Sequence, residues 1–296
     1  MNRKSLATFL AIAFGPAWIL FALPLLAKGT PDPMAYQLAM LILFALAMWA
    51  PGLGAIVATR FVDGQPIIKS LRLNRLGPKR YYVLAWFLPA LVTLATLGMT
   101  VVMGTGHFDL TFAALRESLA ANAPAGTALP DPALIVVGQL AAALTIAPII
   151  NMIFALGEEL GWRGYLLPKL MPLGQWPAIL LSGAIWGIWH APTTILHGYN
   201  FPQHPYLGVL VGLVGFILLG TILSWLYLKA RSPWIAALCH GAFNAIAGLP
   251  LMFLLPGVDT ALGASPLGLA GWIPLVAVIV TLVATRQLPV RDTDGS

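Results

Sequence analysis

Long apolar runs dominate the chain and are separated by short segments that carry most of its charge. An apolar run of about 20 residues can cross the hydrocarbon core of a bilayer as a helix. The pattern predicts about eight such spans, at residues 6–27, 36–59, 81–104, 133–156, 176–195, 206–228, 234–255 and 267–285. The predicted fold is therefore an all-α, polytopic transmembrane helical bundle.

Composition agrees with a membrane protein, because 59% of the 296 residues are hydrophobic and only 9% are charged. The net charge of +6 does not indicate nucleic-acid binding, since the basic residues lie in short segments between apolar runs. No long polar linker divides the chain. We expect residues 1–296 to form a single integral-membrane domain. Cys239 is the only cysteine, which excludes an intrachain disulfide. We expect it to be a small buried residue.

Lysines and arginines fall almost entirely on one side if the spans alternate in direction, which predicts that both termini are cytoplasmic. Lys28 and Arg116 are the exceptions. The expected location is a bacterial-type plasma membrane. The basic loop at residues 60–80 is interpreted as a topology determinant lying on anionic headgroups, with a partner-recruiting surface as the alternative.

Two adjacent carboxylates, Glu158 and Glu159, lie at the end of the fourth apolar run. Charge is expensive near hydrocarbon, so such groups are expected to be paired or to face a polar interior. Arg163 follows Glu159 by four residues, which places both on one helical face and predicts an ion pair. Glu158 points about 100° away from Glu159 and is left for another role.

Two later segments carry further ionisable and polar groups. His190 follows Trp186 by four residues, so the two rings share a helical face, and His240 and Asn244 have the same spacing. A carboxylate, two imidazoles and an amide in a dry cavity would suit water activation and oxyanion stabilisation. Straight spans leave His190 too far from the other groups, so either the fourth span is long or broken, or the fifth is displaced.

These motifs resemble, in their order, those of the CPBP family. That family includes the type II CAAX prenyl endopeptidases and bacterial relatives linked to bacteriocin processing or immunity. The similarity is strongest over residues 147–249, which we take as the motif-bearing catalytic core. The segments at residues 49–51 and 163–168 are also typical, whereas Trp186 stands where the family more often has Phe.

The resemblance implies an intramembrane endopeptidase in which Glu158 is the general base and His190 helps to orient the water. It further implies that His240 and Asn244 support the oxyanion. Glu159, Arg163 and Trp186 would have structural roles around these groups.

Both a metal-free and a zinc-dependent mechanism are open from the residues alone. The alternative zinc ligands are Glu158, His190 and His240, a carboxylate and two imidazoles being a ligand set of catalytic zinc. The chain has no H-E-x-x-H motif, and a glutamate bound to zinc would need another base. We favour the metal-free reading, with no cofactor.

The preferred function is hydrolysis of a peptide bond in a membrane-associated protein or peptide. The alternative is a non-proteolytic membrane factor for binding or immunity that uses the same polar cluster. A transporter ranks third, because no clear internal repeat is present. The expected partners are the lipid bilayer and the substrate, with no nucleic acid, and the sequence predicts no oligomeric state. His107, His197 and His204 are expected to be solvated.

Overall fold

A computed structural model describes residues 3–29, 33–123, 126 and 128–291. Within this part of the chain the fold is helical without strands, apart from an isolated antiparallel bridge between Phe108 and Leu254. The longer helices are α1 (Arg3–Ala22), α2 (Pro33–Ala47), α3 (Ala50–Val57), α4 (Lys79–Val102), α5 (Ala113–Asn122), α6 (Pro132–Leu144), α7 (Ala147–Glu159), α8 (Gln175–Trp189), α9 (Ala191–His197), α10 (Pro205–Ala230), α11 (Pro233–Ile246) and α12 (Leu269–Ala284). The shorter elements are single α-turns at Ile67–Ser70 and Leu167–Leu170, π-helical turns at Ala58–Val62 and Leu160–Leu166, and 3-10 turns at Leu23–Ala27, Met171–Leu173 and Leu249–Phe253.

Several of these elements join into segments that are long and apolar enough to cross a membrane. Six such segments occur in the described residues, with a seventh if α6 and the bent segment after it count as one. The six are Arg3–Ala27, Met34–Val62, Lys79–Val102, Gln175–His197, Pro205–Ala230 and Pro233–Phe253. Helix α12 is apolar but shorter. The predicted all-α polytopic bundle is confirmed, and about eight spans is roughly consistent with these elements. The sidedness of the termini stays a prediction.

The fourth predicted span, at residues 133–156, is not one straight helix. It is a broken pair in which α6 and the segment Ala147–Leu173 meet at an angle of 54°. Pro148 explains the break, because it has no N–H to donate to the carbonyl of Leu144 and its ring clashes with that carbonyl. The Leu144 carbonyl instead accepts a hydrogen bond from the Trp86 indole at 2.9 Å. After the break, the second segment continues well beyond Glu158 and Glu159, as far as Leu173.

The second span is also broken, and the break has the same cause. Helix α2 ends at Ala47, four residues before Pro51, and α3 begins at Ala50. Helix α3 then packs against the π-helical turn Leu160–Leu166 that follows α7. Helix α11 packs along α7, and α10 packs along α8, so the motif-bearing segments lie side by side.

Candidate active site

Glu158 and Glu159 are the last two residues of α7, which continues directly into the π-helical turn Leu160–Leu166. Their exposed fractions are 1% and 0%. π-Helical turns are rare and often occur at functional sites. Because α7 and this turn are continuous, both carboxylates lie inside one buried helical segment. A buried carboxylate there needs a hydrogen-bond donor or a cation as its partner.

Glu159 is the carboxylate that binds other charged or titratable groups. Its Oε1 accepts from Arg163 Nη1 at 2.8 Å, so the ion pair predicted from the spacing is present. The same oxygen lies 3.0 Å from His240 Nδ1. A carboxylate only accepts, so Nδ1 of His240 carries the proton, and Nε2 faces away from this contact. Glu159 thus connects α7 to α11, a link that sequence reasoning missed.

The Arg163 guanidinium is fully buried and lies over the Trp186 ring, with its central carbon 4.5 Å from the ring centroid. Such a contact stabilises a cation through the negative face of the ring. Gly220 on α10 makes room for it, since a Cβ there would lie 3.1 Å from Arg163 Nη2. Arg163 Nε and Nη2 and Glu159 Oε2 are enclosed without a hydrogen-bond partner among the described residues. The pair is therefore enclosed by packing around a single hydrogen-bonded contact between the two side chains.

Glu158 has a different environment from its neighbour. Its Oε2 accepts from the Trp186 indole N–H at 2.6 Å and from the Trp162 indole N–H at 3.3 Å. Its Oε1 accepts no hydrogen bond from the described part of the chain. Two neutral donors orient this carboxylate, and no cation of the described residues is directly paired with it, which leaves Oε1 for a water molecule.

Trp186 connects the groups that the sequence could not place at one depth. Besides its bond to Glu158, its ring makes edge contacts with the His190 ring at 5.6 Å and the His240 ring at 5.2 Å. Three of the four predicted catalytic residues, Glu158, His190 and His240, therefore touch one side chain on α8. The broken fourth span is the alternative that the structure supports, because it places Glu158 within a longer helical segment.

His190 lies at the break between α8 and α9 and is partly buried. Its Nδ1 is 3.0 Å from the Trp186 carbonyl. A carbonyl can only accept, so Nδ1 is the donor, and the neutral imidazole has an unprotonated Nε2. The ring stacks on Phe216 at 4.1 Å with an interplanar angle of 13°. Phe216 comes from α10, and no sequence signal pointed to it.

Asn244 is the predicted site residue that the structure does not connect to the others. It lies one turn after His240 on α11, and its side chain is exposed. Its side chain makes no hydrogen bond with the described residues. Its amide is therefore available to a bound molecule but is not held by the cluster.

The proposed zinc ligands do not fit a metal site. Among the described residues, no group of His, Cys, Asp and Glu side chains converges in a way that could hold a metal ion. The geometry therefore supports no step that passes through a metal.

Close backbone contact between α3 and the acidic segment explains two glycines near the site. A Cβ on Gly157 would lie 2.6 Å from the Met48 carbonyl, and one on Gly161 would lie 2.7 Å from the Pro51 carbonyl carbon. Glycine at both positions lets the residues around the α2–α3 break press directly on the helix that carries Glu158 and Glu159.

A second polar network fixes the far end of the π-helical turn. Asp63 accepts from Ser5 at 2.7 Å, from Tyr165 at 3.2 Å and from Lys169 at 2.9 Å. The Ser5 and Tyr165 hydroxyls also hydrogen-bond to each other. Partial burial opposes ionisation of Asp63, but the hydrogen bonds and charge of Lys169 together with the Ser5 bond lower its pKa.

The expectation that all the remaining histidines are solvated is wrong for His197. Its Nδ1 is 2.7 Å from the Tyr36 hydroxyl, and its Nε2 is 2.7 Å from the Phe21 carbonyl. It joins α9 to the first two membrane segments because both ring nitrogens find partners there. His107 is exposed, and the half-exposed His204 lies 2.9 Å from Asp259.

Comparison with known proteins finds similarity over the region that carries these motifs. Residues 135–246 match the family model described as Type II CAAX prenyl endopeptidase Rce1-like. A CAAX prenyl protease 2 of Methanococcus maripaludis is 34% identical over 86 residues. This match covers 27% of the present chain and 31% of the relative, so it spans about a third of that protein. The resemblance indicated by the motifs is confirmed for this region.

Proposed function

We propose that the protein is an intramembrane endopeptidase that hydrolyses a peptide bond of a membrane-associated protein or peptide. The observation that carries the proposal is the contact of Glu158, His190 and His240 with the single side chain of Trp186. Three separate helices supply these groups inside an apolar bundle. The match of residues 135–246 to a family of endopeptidases supports the same conclusion.

Glu158 acts as the general base in this proposal. Its Oε1 removes a proton from a water molecule as the water oxygen attacks the carbonyl carbon of the scissile bond. The indole donors on Oε2 hold the carboxylate in place during this transfer. When the tetrahedral intermediate collapses, the proton passes from Glu158 to the leaving amine nitrogen, which restores the carboxylate.

His190 orients the attacking water. Its Nδ1–H bond to the Trp186 carbonyl directs the lone pair of Nε2 away from the helix, where it can accept a hydrogen bond from water. Stacking on Phe216 fixes the plane of the ring. The water would then be held between Glu158 Oε1 and His190 Nε2, and both groups would act on the same molecule.

His240 and Asn244 stabilise the negative charge on the carbonyl oxygen. His240 donates its Nδ1–H to Glu159, and it can donate from Nε2 to the oxyanion when both ring nitrogens are protonated. The Asn244 amide donates without any change of charge. Each preorganised donor of this kind is worth about 10²–10³ in rate in other hydrolases.

The mechanism needs no cofactor, and the substrate class is defined only by its place in the membrane. We place the protein in the plasma membrane, with the reaction near the cytoplasmic face. Prenylated and unprenylated substrates both remain within the proposal.

The test is a cleavage assay with the full chain reconstituted in liposomes. A library of membrane-anchored peptides, with and without a prenyl group, is incubated with wild type, His190→Ala and His240→Ala, and the products are identified by mass spectrometry. We expect discrete peptide-bond cleavage by wild type and loss of product in both variants. Peptide binding by folded wild type without any cleavage would overturn the proposal and favour a non-proteolytic binding factor.

A further inference from the structure

Two adjoining clefts at one end of the bundle are lined by cationic side chains. The first, of about 320 Å³, and the second, of about 510 Å³, share Asn74, Arg75 and Arg231. We call the pair the basic cleft. Its other cationic lining residues are Lys69, Arg72, Lys229 and Arg291.

The basic cleft contains no acidic lining residue within the described part of the chain. The ion pairs that the structure describes involve Arg163, Lys169 and two histidines, and none involves Lys69, Arg72 or Arg75. Like charges held together raise the potential of a concave site and concentrate anions in it. The cleft therefore has the electrostatic character of an anion site.

Two arginines of the basic cleft have an uncommon backbone conformation. Arg72 and Arg231 have φ of 56° and 52°, in the left-handed region that non-glycine residues rarely adopt. The Arg72 guanidinium is further fixed over the Tyr227 ring at 5.4 Å. Consecutive turns link Arg72 to the Lys69 carbonyl and Arg75 to the Arg72 carbonyl. Conformations of this kind persist where the surroundings enforce them and are common in ligand sites.

The cleft lies where two membrane-crossing segments end. Arg231 directly follows the last residue of α10, and Gly77 and Pro78 directly precede α4. Ile68 and Leu76, in the same loop, are 62% and 65% exposed. Apolar side chains beside a cationic site at this level can contact the glycerol and upper acyl region of a lipid, whose phosphate lies at the ends of membrane helices.

We propose that the basic cleft binds the phosphate of an anionic phospholipid headgroup. Arginine suits this ligand because its planar guanidinium donates paired hydrogen bonds to phosphate oxygens. A free phosphate ion carries the same chemistry, but the exposed apolar side chains and the position at the helix ends favour the membrane-bound source. The proposal is independent of the peptidase activity and concerns a different part of the molecule.

The test measures lipid binding to the full chain in a neutral detergent by isothermal titration at low and high salt. The ligands are short-chain phosphatidylglycerol, short-chain phosphatidylcholine and inorganic phosphate. The variant Lys69→Gln, Arg72→Gln, Arg75→Gln is compared with Arg60→Gln, Lys79→Gln, Arg80→Gln, which removes equal charge from the same loop without touching the cleft lining. A third variant, Lys69→Arg, Arg72→Lys, Arg75→Lys, keeps the charge.

We expect wild type to bind phosphatidylglycerol in a salt-dependent manner and to prefer it over phosphatidylcholine. Each removed cation should weaken binding about fivefold, and the cleft variant about 100-fold. The control variant should stay within a few-fold of wild type. The charge-retaining variant should bind less tightly than wild type but more tightly than the cleft variant, because it keeps the charge and loses the paired hydrogen bonds of two guanidinium groups. If the triple variant does not fold, Lys69→Gln with Arg75→Gln, both exposed, should still weaken binding about 25-fold.

An equal loss of phosphatidylglycerol affinity in the cleft and control variants would overturn the proposal, because it would show that the lipid is attracted by the basic surface in general. Binding of inorganic phosphate as tight as that of phosphatidylglycerol would overturn the lipid as ligand. Equal binding of phosphatidylcholine would contradict the anionic selectivity.

Discussion

Replacing each of the two adjacent glutamates with glutamine should separate folding from catalysis. Glu158→Gln and Glu159→Gln have the same shape and the same change in charge, one residue apart. Glu159 is the carboxylate bound to Arg163 at 2.8 Å and to His240 at 3.0 Å, and both Glu159 and Arg163 are completely enclosed. Glu158 instead accepts two neutral indole hydrogen bonds.

The expected free energies of unfolding follow from these contacts. Removing one partner of a buried ion pair leaves an uncompensated charge and costs about 3–5 kcal/mol. Glu159→Gln should therefore lower the free energy of unfolding by about that amount. The Gln carbonyl can accept the same indole bonds as Glu158, so Glu158→Gln should cost less than about 1 kcal/mol. The stability difference between the variants is then at least about 2 kcal/mol.

The assay is reversible unfolding in mixed detergent micelles at neutral pH, followed by tryptophan fluorescence. A double-mutant cycle with Arg163→Met adds an internal check. We expect the double variant Glu159→Gln, Arg163→Met to be more stable than the sum of its single effects predicts, with a coupling of about 1–3 kcal/mol. Additive changes in the free energy of unfolding for Glu159→Gln and Arg163→Met would refute the assignment of unequal roles. A loss of stability in Glu158→Gln as large as that in Glu159→Gln would also refute it.

The remaining predictions concern the support of the site. Trp186→Phe keeps the ring contacts to both histidines but removes the N–H that donates to Glu158, so it should fold and lose about tenfold in activity, whereas Trp186→Ala should destabilise the fold by about 3–5 kcal/mol and abolish cleavage; full activity of the Phe variant would contradict the role of the indole donor. Gly161→Ala should cost about 1–3 kcal/mol in thermal unfolding because its Cβ meets Pro51, while Gly138→Ala, which faces open space, should be neutral or stabilising. Asp63→Asn should lower stability at pH 7 by about 1–3 kcal/mol; because the pKa of Asp63 is lowered in the fold, this loss should shrink as the pH falls below about 4, and a loss independent of pH would contradict the ionised state. Exhaustive chelation should leave cleavage unchanged, and restoration of activity by added zinc alone would contradict the metal-free mechanism.

Local spacing along a helix predicts contacts within that helix. The interval of four residues that predicted the ion pair of Glu159 and Arg163 also separates Glu158 from Trp162. The Trp162 indole N–H donates a hydrogen bond to the Glu158 carboxylate. The breaks follow a similarly simple signal, since α2, α6 and α11 each end four residues before a proline. These features were readable from the sequence through helix geometry and the missing proline N–H.

Contacts between distant segments could not be obtained in this way. The bond of His240 to Glu159 and the stacking of Phe216 on His190 depend on how α7, α8, α10 and α11 pack, which no periodicity specifies. The order of motifs indicated which residues belong to one site. It did not indicate that Trp186 would link Glu158 to both histidines, because that role depends on the break before α7.

The cleavage rate of Glu158→Gln tests the central claim most directly. A separate unfolding measurement first confirms that the variant is folded. The variant and wild type are then reconstituted in liposomes with an identified substrate, and single-turnover cleavage is measured at neutral pH. Loss of a general base should slow cleavage by about 10²–10⁴-fold without weakening substrate binding. Cleavage by the folded variant at a rate within a few-fold of wild type would contradict the assignment of Glu158 as the base.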